Sequence, residues 1–159
     1  MEISISILGS ASVSMVNQNL EQIRAKNALS AAPKIGLGKE GGRSVAKKVP
    51  VQIVQNGFLG ALAFAIENAA TEQADTEGYV KNGYANTFTA IKKHLITVKK
   101  DLGVCSGDLR AFLGGLCGKS ADELRMVTEE ALCYLNYLRR FATSKDEDRK
   151  PKKDGEGVS

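Results

Sequence analysis

The chain has 159 residues, 43% hydrophobic and 25% charged, with a net charge of +4. That is long enough to bury a real core in one domain and excludes a low-complexity or fibrous chain. No uninterrupted apolar run reaches the ~18 residues of a membrane span, and the first residues lack the basic start of a secretory signal.

Residues 1–14 alternate briefly at Ile3, Ile5 and Ile7 and then turn into small residues. A lone short strand has no partner here, so the stretch is expected to be disordered. From Val16 to about Ala32 the pattern is helical, with Val16, Leu20, Ile23 and Leu29 as the larger apolar residues. Asn17 or Asn19 is its expected cap. Pro33 is expected to end it, because the residue before proline avoids helix. Four glycines between Lys34 and Gly42 predict a loop.

A second helix is expected from Arg43 through Val45, Val49 and Ile53, kinked or restarted at Pro50. Gly57 is the expected stop, free to take a positive φ. Phe58 to Ala70 reads as a third helix, and Thr71 to Gly83 as a loop or weak helix. Tyr84, Phe88, Ile91, Leu95, Val98 and Leu102 step by four and three alternately, the cleanest amphipathic helix in the chain, with Gly103 as its end. Leu109, Phe112 and Leu113 predict a short helix after Ser106, closed by Gly114 and Gly115.

Ser120 to Ala142 is the longest uninterrupted periodic stretch. Ser120 and Glu123 have capping-box spacing. Asp122 and Glu123 at the start and Arg139 and Arg140 at the end complement the helix dipole. Its apolar residues cover most of the helical wheel, including Met126, Cys133 and Tyr137, and are broken only by Glu130. Such a helix is expected at the centre of a bundle. The tail from Thr143 holds five basic and five acidic residues and no apolar periodicity, and is expected to be disordered. The expected fold is therefore all-α: a single compact bundle of about five or six helices over residues 15–142, between a flexible segment 1–14 and a charged tail 143–159.

The motifs exclude more than they assign. Cys105, Cys117 and Cys133 form no CxxC pair and have only His94 to join them, short of the about four ligands of a zinc site. Reduced, cytosolic chemistry follows, with no metal and no cofactor expected. Gly118-Lys119-Ser120 lacks the earlier glycine and the preceding strand of a phosphate-binding loop. His94 has no fixed acidic partner in sequence and reads as a surface residue. No nucleophile–base constellation is present, and no enzyme activity is expected. Residues 15–142 hold 17 basic and 12 acidic residues, which permits a nucleic-acid partner. Lys92 with Lys99, and Lys93 with Lys100, are spaced seven apart and are expected to form two cationic rows on one helix, able to track phosphates.

Three segments carry a resemblance. They are Asn19 to Ala28; Lys47-Lys48-Val49-Pro50 through Gln55-Asn56-Gly57 into Ala61-Leu62-Ala63-Phe64; and Thr128 to Leu132 with Asn136 to Ala142. In this order and spacing the chain resembles the small subunit of the Cmr complex, the type III-B CRISPR effector. The resemblance implies an all-helical, non-catalytic, cytoplasmic subunit. Its implied partners are the other Cmr subunits, further copies of itself stacked head to tail, CRISPR RNA and target RNA. Arg24, Lys26, Arg43, Lys47, Lys48, Arg139 and Arg140 lie in or beside the matching segments and join Lys92, Lys93, Lys99 and Lys100 as nucleic-acid candidates. Met126, Cys133 and Tyr137 are the protein-interface candidates of an alternative reading, a helical interaction module without RNA contact.

Overall fold

A computed structural model describes residues 18–36, 41–103 and 107–142. The expectations for residues 1–14 and for the tail lie outside them. Five α-helices follow one another: α1 (Leu20–Ile35), α2 (Gly42–Asn68), α3 (Gly83–Val98), α4 (Leu109–Cys117) and α5 (Ala121–Phe141), with a 3-10 turn at Lys100–Leu102. No strand occurs among the described residues.

The caps follow the sequence chemistry. Asn19 and Gln22 form a capping box at the start of α1, with reciprocal bonds of 2.8 and 2.9 Å. Ser120 and Glu123 do the same for α5. Asn82 caps α3 and Asp108 caps α4, each accepting a backbone N–H. Each such cap satisfies N–H groups that the helix leaves without an internal partner.

Several expected boundaries move. Pro33 does not end α1, which runs on to Ile35. Proline in the last turn forfeits one hydrogen bond, and the full burial of Ile35 draws that turn into the core. Nor does the chain break at Pro50. The non-helical residue inside α2 is Gly57, at φ 82° and ψ 161°, a conformation natural to glycine. Gly114 and Gly115 lie within α4, which closes at Gly118. The stretch 72–82 forms turns and extended backbone with no helix.

The centre of the bundle also moves. The enclosed helix is α3, which contacts α1, α2, α4 and α5 and buries eleven residues from Gly83 to Leu95. α5 packs against α1, α2 and α3 but leaves Met126 49% and Phe141 36% exposed. Part of its wide apolar arc therefore faces solvent. Gly83 opens α3 against the end of α1: a Cβ there would stand 2.8 Å from the Ile35 carbonyl oxygen and 2.9 Å from Val45. Phe58, Phe88 and Phe112 join α2, α3 and α4 in edge-to-face contacts at 5.5 and 6.2 Å. Such pairs each contribute about 1 kcal/mol beyond their burial.

α2 is also long and apolar enough, by length and composition, to match a membrane span. Lys47, Lys48, Gln55 and Asn56 interrupt that surface, and nine of its residues are buried in the bundle, which makes it a core helix.

Candidate functional site

α3 ends at Val98, and Lys99 takes the non-helical φ −131°, ψ 59°. Lys99 is thus the C-cap of that helix and Lys100 lies in the 3-10 turn beyond it, so the helix that carries Lys92 and Lys93 does not extend through either. Lys92 donates from its ammonium to the Gly107 carbonyl. Lys93 sits 4.7 Å from the centre of the Tyr79 ring, with Lys34 at 5.5 Å, so both cations lie against an aromatic face, and Lys34 also pairs with Glu77 at 3.5 Å. Of the other basic candidates, Lys26, Lys47, Lys48, Lys100, Arg139 and Arg140 are exposed, and Arg43 and Lys99 are half-buried.

Arg24 is tied inside the fold. Its Nε and Nη2 donate to the two carboxylate oxygens of Glu130, each at 2.8 Å, the two-pronged geometry suited to a guanidinium. Glu130 is 6% exposed. Its Oε2 also accepts from Nε2 of His94 at 2.8 Å. His94 is 1% exposed, which corrects its reading as a surface residue. It has an acidic partner, 36 positions away in sequence, supplied by another helix. The His94 ring lies on Tyr134 with centroids 4.3 Å apart and planes within 10°. The Tyr134 hydroxyl reaches the Asn27 carbonyl at 3.4 Å.

Burial alone raises a carboxyl's pKa, but the bonds from Arg24 and His94 outweigh it and hold Glu130 below its ordinary value. Burial pushes His94 down. Glu130 pulls it up, and Arg24 adds to the lowering, so the imidazole stays on the neutral side. The 2.8 Å contact is therefore a hydrogen bond from neutral imidazole to carboxylate, not an ion pair. Burial also lifts the Tyr134 hydroxyl far above the usual phenol range.

Two of the three interface candidates fall at the mouth of this cluster. Met126 and Cys133 line a pocket of about 320 Å³ with Arg24, Lys99, Glu129 and Glu130. Tyr137 is half-buried and packs against the core instead. Asn86 escapes the periodicity reading altogether. It is fully buried, donates to the Lys34 and Val80 carbonyls at 2.7 Å each, and accepts from the Val80 N–H at 2.8 Å. It thus ties α3 to the end of α1 and to the loop before α3. Among the described residues no group of three or more His, Cys, Asp or Glu is placed to hold a metal ion.

The polar cluster joins α1, α3 and α5. Comparison with curated proteins and with solved structures returns no match. Residues 20–145 match the family model described as CRISPR-associated protein (Cas_Cmr5). The match begins at the first residue of α1 and covers all five helices. The chain accordingly belongs to that family, as the small subunit of the Cmr complex, the type III-B CRISPR–Cas effector.

Proposed function

We propose that this chain is a non-catalytic building block of the Cmr ribonucleoprotein. Copies stack along the complex, and exposed cations lie along guide and target RNA in antiviral defence in the cytoplasm. The observation that carries the reading is the family match over residues 20–145. RNA contact is supported by the sorting of the basic candidates: Lys26, Lys47, Lys100, Arg139 and Arg140 are exposed, whereas Arg24 and Lys93 are engaged internally. Exposed cations on helices neutralise phosphates without reading sequence, and such contacts weaken steeply with salt.

The test is a Cmr complex reconstituted with Lys47→Glu/Lys48→Glu, and separately with Arg139→Glu/Arg140→Glu. At moderate salt at least one pair is expected to lose about tenfold in target-RNA affinity, with a shallower salt dependence. Unchanged affinity and slope in both variants overturns the RNA contact. The competing reading is a protein-only interaction module, favoured by the 49% exposure of Met126 beside half-buried Cys133. It predicts assembly that resists both charge reversals and fails with Met126→Glu.

A further inference from the structure

α1 is held to the bundle by little apolar surface. Its buried residues are Ala28, Ala31, Ala32 and Ile35, while Leu20 and Leu29 are 42% and 62% exposed. Its first two turns bury no residue fully and are tied by polar contacts to α3 and α5. Arg24 forks onto Glu130, and the Asn27 carboxamide meets Nδ1 of His94 at 2.8 Å and Oγ1 of Thr97 at 3.0 Å.

Donor and acceptor roles in this junction are fixed in sequence. The Thr97 hydroxyl donates to the His94 carbonyl at 2.7 Å. Its oxygen is left to accept, so the Asn27 group facing it is the –NH2. The same –NH2 donates to Nδ1 of His94, which must therefore be unprotonated. Nε2 carries the hydrogen and donates it to Glu130.

Adding a proton at Nδ1 sets two donors face to face. Turning the Asn27 amide relieves that contact, but its oxygen then faces the Thr97 oxygen, whose hydrogen is already spent. One polar contact is lost either way, at the part-buried Nδ1 or at the exposed Thr97 hydroxyl. The new cation also lies beside the Arg24 guanidinium. Glu130 attracts it, and the stacked Tyr134 stays neutral, with Tyr79 beyond it. Lys99, Glu129 and Cys133 stand at the mouth of the pocket, and Tyr137 lies near Arg24.

We propose that the Asn27–His94–Glu130 junction is a proton-sensitive latch that holds α1 on the bundle and releases it when the imidazole takes up a proton. Release opens the face of α3 and α5 that α1 covers, including Glu130 and Tyr134.

His94 is the only histidine in the chain, so one ¹⁵N-labelled imidazole reports the latch directly. In the full chain it is expected to be the neutral Nε2–H tautomer at about pH 7.5. As pH falls below the ordinary imidazole value of 6.5, amides of α1 should lose protection from exchange at least about tenfold more than those of α3, after correction for intrinsic rates. Asn27→Asp offers an acceptor to Nδ1–H. It is expected to reverse the sign, keeping the imidazole charged at neutral pH and α1 protected to lower pH. His94→Gln removes the proton site and should flatten the response, so the test survives if one variant fails to fold. An Nδ1–H or charged imidazole in the unaltered chain at pH 7.5 overturns the proposal. Even loss of protection across all helices, or a pH response that persists in His94→Gln, does so as well.

Discussion

His94 and Glu130 each contribute to the response of this fold to acid, and the sign of each contribution follows from its environment. His94 is held below its ordinary value of 6.5, so the folded state binds fewer protons than the unfolded chain as pH drops. Its contribution is complete above about pH 6.5 and is lost as pH falls below that. Glu130 is held below 4.5, and its contribution is lost in a second, lower window as the carboxylate protonates. Thermal melting followed against pH should therefore decline in two steps, and His94→Gln should remove only the upper one. Asn86 is the other decisive residue. All three of its hydrogen bonds go to backbone groups, and Asn86→Leu would leave the Lys34 and Val80 carbonyls and the Val80 N–H without that partner. A loss of about 2–4 kcal/mol is expected in chemical denaturation. A change under 0.5 kcal/mol, the ordinary size of a neutral surface substitution, would contradict its bridging role.

At the scale of elements, two glycines do what no larger residue does in the same place. Gly57 takes φ 82° and lets α2 change direction midway, so that Ile53 before it and Phe58 after it both reach the core. Gly83 lets α3 start against the end of α1. Gly83→Ala pushes a methyl into the Ile35 carbonyl and Val45, and because the carbonyl is backbone the cost is a helix shift. Destabilisation of about 1–3 kcal/mol is expected, whereas alanine at Gly114, where nothing lies within 4 Å, should be neutral or slightly stabilising through helix propensity. Urea denaturation of the two variants side by side measures the contrast. The same elements limit what the lysine spacing can do. Spacing of seven places two residues in line only while the helix lasts, and α3 stops at Val98.

Across the whole molecule, local signals were the legible ones. The all-helical class, the capping box at Ser120, the cap at Asn19 as one of two candidates and the turn at Gly57 all arise from interactions within a few residues, which a single sequence displays. The polar cluster was not legible because its contacts span 36 to 107 positions. Two clues pointed to it: Glu130 sitting alone inside the apolar arc of its helix, and a histidine at the edge of the most regular apolar face. Which helix lies at the centre was equally non-local. α5 has the broader apolar arc, yet α3 is enclosed, because burial depends on how many neighbours the chain path supplies. The surface role is read from what remains exposed after the internal cations are subtracted. That role is tested most directly by affinity purification of the tagged full chain from cells that express a complete Cmr complex, with RNA sequenced from the eluate. Recovery of the other Cmr subunits together with CRISPR RNA is expected, and loss of target-RNA capture on reversal of charge at Lys47, Lys48, Arg139 and Arg140 with subunit recovery retained. Recovery of the chain without Cmr subunits or CRISPR RNA would contradict it.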